Sequence, residues 1–274
     1  YSRSAIACAL GISKSNLYGA RKAVEDRRHK SYSDKELLAM INELVKTRPT
    51  YGYRRVAALL SKYLCRIGRA PVNHKRIYRV MRDNDLLWQP PIKKPVRTHD
   101  GKVIVATSDS RWCSDTLEIW CWDNSKVRVG FCMDCCDREI ISWVASTGGI
   151  SGEMIRDLMA EAVEQRFGAD KTPHKIEWLS DNGSIYRAKN TREFAKSVGL
   201  EPCTTPTYSP ESNGMAESFV KTFKRDYVRV HDIETAEEVL HQLHFWFEDY
   251  NENHPHRGLK MKSPREFRRH KITV

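Results

Sequence analysis

The sequence lacks any long apolar run. No hydrophobic stretch approaches the roughly 18 consecutive residues that a membrane-spanning helix needs, and no signal peptide opens the chain. The composition, 40% hydrophobic and 30% charged, is that of a globular protein. We therefore expect no membrane partner and a cytoplasmic location. Because the first residue is Tyr1 rather than Met, we also expect further chain upstream.

The sequence also lacks the ligand spacing of a zinc finger. Among its 8 cysteines only Cys132 and Cys135 form a Cys-x-x-Cys pair, and no His-x3–5-His follows. Buried thiols are the commoner use of cysteine in an intracellular chain. A lone pair is a weak zinc signal, so a zinc site stays open as the minor alternative.

Positive charge is present in excess, but only in one part of the chain. Residues 1–100 hold 22 Lys and Arg against 8 Asp and Glu, whereas residues 101–274 hold 24 against 27. A basic segment joined to a slightly acidic one predicts a polyanion-binding module attached to a second unit. Nucleic acid is the expected polyanion, since no helix has the strongly apolar face that membrane-surface binding requires.

Two helical regions make up the basic part. Residues 1–30 contain two short helical patterns joined at Gly11, which is typical of a helix-turn-helix. In residues 31–88, Ser33 and Glu36 form a capping box, and Asn73 can cap a later helix. The spacing of apolar residues on that helix predicts one buried face, formed by Ile77, Val80 and Met81.

Basic residues of this region are the predicted DNA contacts. Lys75, Arg79 and Arg82 fall on a different helix face from the apolar residues, which suits phosphate binding. A solvated charged face is the alternative. The predicted contacts in residues 31–88 are Arg54, Arg55, Lys75, Arg76, Arg79 and Arg82.

A proline-rich basic segment separates the two parts of the chain. Residues 89–98 hold three prolines and three cations, which cannot form the interior of a helix or sheet. We predict that residues 89–105 are a linker that places Lys93 and Lys94 on DNA. Residues 106–274 then form the second domain.

The second domain has an α/β pattern. Three strands with tight turns predict an antiparallel meander, at Arg111–Trp122, Lys126–Asp134 and Arg138–Ala145. Alternating helices and strands follow, which indicates a mixed sheet flanked by helices. The predicted elements are a helix at Ser151–Phe167, a strand at Ile176–Leu179, a helix at Asn190–Val198 ended by Gly199, a short strand at Pro202–Thr205, and helices at Asn213–Val230 and Thr235–Tyr250.

Three acidic residues stand out in this domain. Asp115 lies within the first strand, Asp181 follows the fourth, and Glu217 lies near the start of a helix. Each also has an ordinary explanation. Asp115 competes with neighbouring acidic residues, the Asp181 segment can simply form a turn, and a first-turn Glu favours the helix dipole.

The ordered set of motifs resembles the D,D-35-E transposases of bacterial insertion sequences. The set comprises Ser180-Asp181-Asn182-Gly183, Ser209-Pro210-x-Ser212-Asn213-Gly214-x-x-Glu217, Tyr51-Gly52-Tyr53-Arg54-Arg55, Tyr250-Asn251 and His254-Pro255-His256-Arg257. Thirty-five residues lie between Asp181 and Glu217, as in that family. The chain is most similar to the insertion sequence three family and its insertion sequence two subgroup, which share a ribonuclease H-like core with retroviral integrases.

The resemblance implies a catalytic site and its ions. Asp115, Asp181 and Glu217 would bind two Mg²⁺ ions, or Mn²⁺ in their place, because hard oxygen ligands suit these metals. Water would cut one strand, and the freed 3′-hydroxyl would attack a second phosphodiester. The expected further DNA contacts are Asn182, Asn213, Lys221, Lys224 and Arg257.

The resemblance also implies double-stranded DNA as partner, at least a dimer, and association with the bacterial nucleoid. Retroviral integrases carry an N-terminal His2Cys2 zinc module that this sequence lacks. Three alternatives stay open: a non-catalytic helix-turn-helix DNA-binding protein, a Ser or Tyr recombinase, and a ribonuclease H-like nuclease that does not join ends.

Overall fold

A computed structural model describes residues 5, 8–9, 32–88, 105–204 and 214–272. Residues 32–88 contain three helices, here called the helical unit: α1 (Asp34–Thr47), α2 (Tyr53–Arg66) and α3 (His74–Asp83). The Ser33–Glu36 capping box forms, and the Asn73 side chain caps α3, as the sequence predicts. The predicted helix-turn-helix in residues 1–30 and most of the linker lie outside the described residues.

The helical unit has a core of its own. Ile77, Val80 and Met81 are buried, which confirms the predicted apolar face of α3. They pack with Leu37 and Ile41 of α1 in a single cluster. Burial of one face on each helix leaves the charged residues on the outside of the unit.

A five-stranded sheet forms the centre of the second domain. Its strands are β1 (Arg111–Trp120), β2 (Lys126–Asp134), β3 (Ile140–Ser146), β4 (Ile176–Ser180) and β5 (Leu200–Thr204). The order is β3-β2-β1-β4-β5. The first three strands are antiparallel, whereas β4 pairs with β1, and β5 with β4, in parallel. This is the expected mixed sheet.

Helices cover both faces of the sheet. One face packs on α4 (Gly152–Phe167), α5 (Ser184–Arg187) and α6 (Lys189–Ser197). The other packs on α7 (Gly214–Phe223) and α8 (Ala236–Asn253). A short 3₁₀ turn (Arg257–Leu259) and α9 (Pro264–Ile272) complete the chain. Within the described residues, no helix is both long and apolar enough to cross a bilayer.

Most element boundaries differ from the sequence expectation by one to three residues, as in β3, β5 and α8. The differences at the first strand and at the helix expected at Asn213–Val230 have a visible structural basis. The first strand ends at Trp120, because the backbone turns back where Cys121 N–H bonds to the Ser125 carbonyl at 2.9 Å. The helix expected at Asn213–Val230 is an α-helix only to Phe223, and Lys224–Val228 is a π-helical segment. Gly199 ends α6 as expected, with a φ of 90° that a side chain would strain.

The helical unit docks on the second domain through a buried polar network. Asp226, in the π-helical segment, accepts hydrogen bonds from Thr50 at 2.6 Å and Arg55 at 2.9 Å. The Tyr51 hydroxyl lies 2.8 Å from Nδ1 of His254, and both residues are buried. Two of the sequence motifs that carry the family resemblance therefore meet at this interface.

We expect Tyr51→Phe to destabilise the protein by about 1–3 kcal/mol, because it leaves a buried ring nitrogen of His254 without its partner. Urea unfolding followed by circular dichroism measures the change. Tyr78→Phe is the matched control, since Tyr78 is 39% exposed on the same unit. Equal loss in both variants would contradict a stabilising role for this interface.

Candidate active site

The pairing of β1 with β4 brings two of the predicted acidic residues side by side. Cys113 pairs with Leu179 in the parallel register, and continuing it by two residues sets Asp115 beside Asp181. Cys113 and Leu179 both pack on the sheet face that is covered by α7 and α8. Because side chains alternate along a strand, Asp115 and Asp181 lie on that same face.

Glu217 reaches this face from α7. Its neighbours on the helix, Ala216 and Phe219, are buried in the same cluster as Cys113. Glu217 itself stays exposed. The three predicted carboxylates, called here the acidic triad, therefore converge at one end of the sheet.

The electrostatics of Asp115 reflect this convergence. The pKa of its carboxyl is raised to about 6, mainly by burial and in addition by the charges of Asp181 and Glu217, while the hydrogen bond from the backbone N–H of Thr116 lowers it. Ionisation of this carboxyl is less favourable than that of an ordinary Asp, and a nearby cation would make it more favourable.

Each triad carboxylate is held locally. The N–H of Thr116 donates to Asp115 Oδ1 at 2.7 Å, and the N–H of Gly183 donates to Asp181 Oδ1 at 3.0 Å. Lys221 forms an ion pair with Glu217 at 3.5 Å.

Among the described residues, no three His, Cys, Asp or Glu side chains lie close enough to share one metal ion. The donor set fits Mg²⁺, since all three donors are hard carboxylate oxygens and their mutual repulsion favours a cation.

We expect the stability of the metal-free protein to fall as pH rises from about 4 to 7, because ionising Asp115 in the fold costs free energy. A folded-state pKa of about 6 against an ordinary 3.8 means that the folded state binds the proton more tightly. Stability is then greatest below the unfolded pKa and is lost through the folded one, by about 1–3 kcal/mol. Asp115→Asn should lack this component when urea unfolding is measured with a chelator at pH 4.5 and 7.5. Identical pH dependence in the two proteins would contradict the assignment.

Some predicted DNA-binding residues of the helical unit are simply exposed, and others form ion pairs on the surface. Lys75 is exposed on α3, and Arg82 is exposed beside Asp83. Arg76 and Arg79 pair with Asp34 on the surface, and such pairs are weak enough for a phosphate to compete.

Two further arginines of this unit have internal contacts. Arg54 lies over the Tyr53 ring, 4.9 Å from its centroid. Arg55, also predicted to bind DNA, pairs with the buried Asp226 at 2.9 Å. The pairing has a physical reason, since the carboxylate of Asp226 has no exposed side-chain surface and needs a cation.

The predicted DNA contacts of the second domain lie in several places. Lys221 lies on the Glu217 face of α7, Lys224 opens the π-helical segment, and Arg257 is exposed at the 3₁₀ turn. Asn182 is exposed directly after Asp181. The predicted contacts Lys93, Lys94 and Asn213 lie outside the described residues.

Sequence reasoning missed a cavity next to this site. It has a volume of about 110 Å³, lies behind the end of β4, and is lined in part by Asn182, Thr191 and Arg192. No local pattern points to it, because its walls come from strands and helices that are separate in the sequence.

The fold agrees with comparisons to known families. Residues 106–210 and 198–264 match two families described as integrase core domains, and residues 32–94 match one described as an HTH-like domain. The matches divide the chain as the structure does, into a helical unit and a sheet domain. The class of protein that they define is a DNA transposase or integrase of the ribonuclease H-like type.

Sequence relatives narrow the class to one family. The chain is 44% identical over 272 residues to the transposase InsD for insertion element IS2 of Escherichia coli, covering 97% of this chain and 90% of InsD. It is 44% identical over 273 residues to an uncharacterized 48.2 kDa protein of insertion element IS2A, of which it spans 64%. The chain belongs to the IS2 transposase family.

Solved structures resemble the chain less closely. A simian T-cell lymphotropic virus intasome structure aligns at a TM-score of 0.48 and 14% identity, covering 86% of this chain and 74% of that one. The catalytic domain of Mos1 mariner transposase aligns at 0.45 and 16% identity, covering 60% and 82%. The family assignment depends on the sequence relatives and not on these structures.

Proposed function

We propose that the chain cuts DNA at the ends of a mobile element and joins the freed 3′-hydroxyls to target DNA, with Asp115, Asp181 and Glu217 as catalytic and metal-binding residues. The observation that carries the proposal is the convergence of the three carboxylates on one sheet face, with Asp115 sensing the charges of the other two. Family membership supports the same chemistry.

The residues of the chain have distinct parts in this proposal. Asp115 and Asp181 sit on paired strands, so they supply rigid oxygen ligands. Glu217, on α7, would complete the ligand set in place of its ion pair with Lys221. Bound divalent ions, Mg²⁺ or Mn²⁺ and two in number, would activate the attacking oxygen and neutralise the leaving one. No Ser or Tyr nucleophile is needed, because water and then the freed 3′-hydroxyl attack the phosphodiester.

The other proposed DNA contacts are mainly exposed basic residues. We place element DNA along the exposed basic side of α3 and along Lys221 and Lys224, which follow Glu217 in the chain. Arg257, at the 3₁₀ turn, is a further proposed contact. Lys93, Lys94, Asn182 and Asn213 complete the proposed surface. In this division residues 31–88 hold DNA and residues 106–274 perform the chemistry, in a homodimer or larger assembly that brings two ends together. The setting would be the bacterial cytoplasm, on nucleoid DNA.

A strand-transfer assay on duplex DNA from the ends of the encoding element tests the proposal. We expect nicked and then joined products with Mg²⁺ or Mn²⁺, none with a chelator, and no DNA–protein adduct on a denaturing gel. A covalent adduct formed in chelator would identify a recombinase instead. Cleaved ends without joining would identify a nuclease, and DNA binding without cleavage would identify a non-catalytic binding protein.

A further inference from the structure

The pairing between β1 and β4 stops before it reaches the acidic triad. The paired residues run from Arg111 with Glu177 to Cys113 with Leu179. Asp115 and Asp181 each lie two residues beyond the last pair. The two segments that carry these carboxylates therefore need contacts outside the strand ladder to keep a fixed separation.

A buried hydrogen bond joins the two segments just past the end of the ladder. The Ser114 hydroxyl lies 2.9 Å from the Tyr186 hydroxyl. Ser114 is fully buried, and Tyr186 is 5% exposed. Because side chains alternate along a strand, Ser114 faces α5 on one side of the sheet while its neighbour Asp115 faces the other side.

The Tyr186 end of this bond leads back to Asp181 through a short turn. The Asp181 carboxylate accepts a hydrogen bond from the N–H of Gly183 at 3.0 Å, and the Gly183 carbonyl accepts one from the N–H of Tyr186 at 3.1 Å. The Tyr186 ring is fixed in the same buried cluster as Trp112. A path of hydrogen bonds thus links the residue before Asp115 to the carboxylate of Asp181.

The Tyr186 hydroxyl keeps its proton for this bond. Burial raises its pKa above the ordinary value, and the charges of Asp115 and Asp181 add to the rise. The hydrogen bond with Ser114 lowers it, but by less. The hydroxyl is therefore neutral at pH 7, and it lies near enough to both carboxylates to feel their charge.

We propose that Tyr186 is a positioning residue for the acidic triad: its hydroxyl, through Ser114, holds Asp115 and Asp181 at the separation that binding of a divalent ion needs. Both hydroxyls lie on the opposite face of the sheet from the carboxylates, so neither is a ligand. Loss of the groups that orient metal ligands typically weakens metal binding by about 10- to 100-fold. The inference rests on the proposed function, in which both carboxylates are metal ligands.

Binding of Mn²⁺ to the full chain tests the proposal without a measurement of activity. Electron paramagnetic resonance follows free Mn²⁺ in the presence of duplex end DNA that lacks a 3′-hydroxyl and so cannot be joined. Tyr186→Phe and Ser114→Ala each remove one hydroxyl, and the double variant removes both. We expect each of the three to bind Mn²⁺ at least about tenfold more weakly than the wild type.

The double variant tests whether the two hydroxyls act as one unit. It should bind Mn²⁺ no more weakly than the single variants, because all three lack the same hydrogen bond. It also keeps the test decisive if a single variant does not fold, since removing both partners leaves no buried polar group unpaired.

Ser142→Ala is the matched control. Ser114 pairs with Cys132, and Cys132 pairs with Ser142, so the two serines lie in one row across the sheet. The buried Ser142 hydroxyl donates to the Leu158 carbonyl at 2.8 Å. Ser142→Ala therefore removes a buried hydrogen bond on β3, and it should bind Mn²⁺ as the wild type does.

Three results would overturn the proposal: Tyr186→Phe binds Mn²⁺ like the wild type, Ser142→Ala weakens binding equally, or the losses in the single variants add up in the double variant. Asp181→Asn separates this test from that of the proposed function. If Asp181→Asn loses Mn²⁺ binding and strand transfer while Tyr186→Phe keeps both, only the positioning role fails. If Asp181→Asn keeps both, the catalytic assignment fails, and the positioning role fails with it.

Discussion

Asp181→Asn should lower both strand cleavage and strand transfer by at least about a hundred- to a thousandfold, the usual cost of removing one group that stabilises transition-state charge. The reason is the loss of a charged oxygen beside Asp115 at the end of the sheet. The side chain is exposed and follows β4, so the fold should not change. Gel assays on end DNA measure both steps, and a mobility-shift assay should show unchanged DNA binding.

Asp170→Asn is the control for this substitution. Asp170 is also exposed, but it precedes β4 and so lies at the opposite end of that strand. It should retain full activity. Full activity of Asp181→Asn with normal folding would remove the triad as the centre of catalysis, and equal inactivity of the two variants would point to a general loss of the protein instead.

Arg166→Met should lower the free energy of unfolding by about 3–5 kcal/mol, the typical result of leaving a buried charge without its partner. The Arg166 side chain is 1% exposed and donates from one nitrogen to both oxygens of Asp137 at 3.2 Å. It also lies 3.3 Å from Asp109 and 3.1 Å from Glu139. Burial lowers the pKa of the guanidinium, but these carboxylates outweigh burial and raise it overall.

Two further variants identify the cause of that loss. Arg156→Met changes the same residue type on the same helix, where the side chain is half-buried and bonds only a carbonyl oxygen, and should cost under about 1 kcal/mol. Adding Asp137→Asn to Arg166→Met should recover part of the stability, because the uncompensated charge is gone. Thermal unfolding at pH 7 compares all four proteins. A loss in Arg166→Met no larger than in Arg156→Met would contradict the charge argument.

Local patterns predicted much of the fold. The alternation of Lys126–Asp134 gave the observed limits of β2, and the capping residues Ser33 and Asn73 gave the starts of two helices. Such features depend on neighbours in the sequence, so a single sequence contains them. The mixed topology was predictable for the same reason, from three closely spaced strands followed by alternating helices and strands.

Other features depend on contacts between distant residues. The pairing of Arg55 with Asp226 joins residues 171 apart, and nothing near Arg55 distinguishes it from Arg54. The change from α to π helix at Lys224 accompanies packing of Phe223 and Tyr227 against α8, which no spacing reveals. The acidic triad was predicted from family resemblance and ordered motifs. The pairing register of β1 and β4 that sets Asp115 beside Asp181, and the raised pKa of Asp115, could be found only from the structure.

The hydrogen bonds from Thr50 and Arg55 to Asp226 affect whether the two domains can be separated into stable fragments. Asp226 lies nine residues beyond Glu217 on one continuous helical stretch. His254, directly after α8, contacts the Tyr51 hydroxyl of the helical unit. Cutting the chain between residues 89 and 104 and separating the fragments would expose Asp226, His254 and the aromatic rings beside them to water. We expect both fragments to be less stable apart than joined, because the helical stretch that bears Glu217 would lose the contacts of Asp226 at its far end.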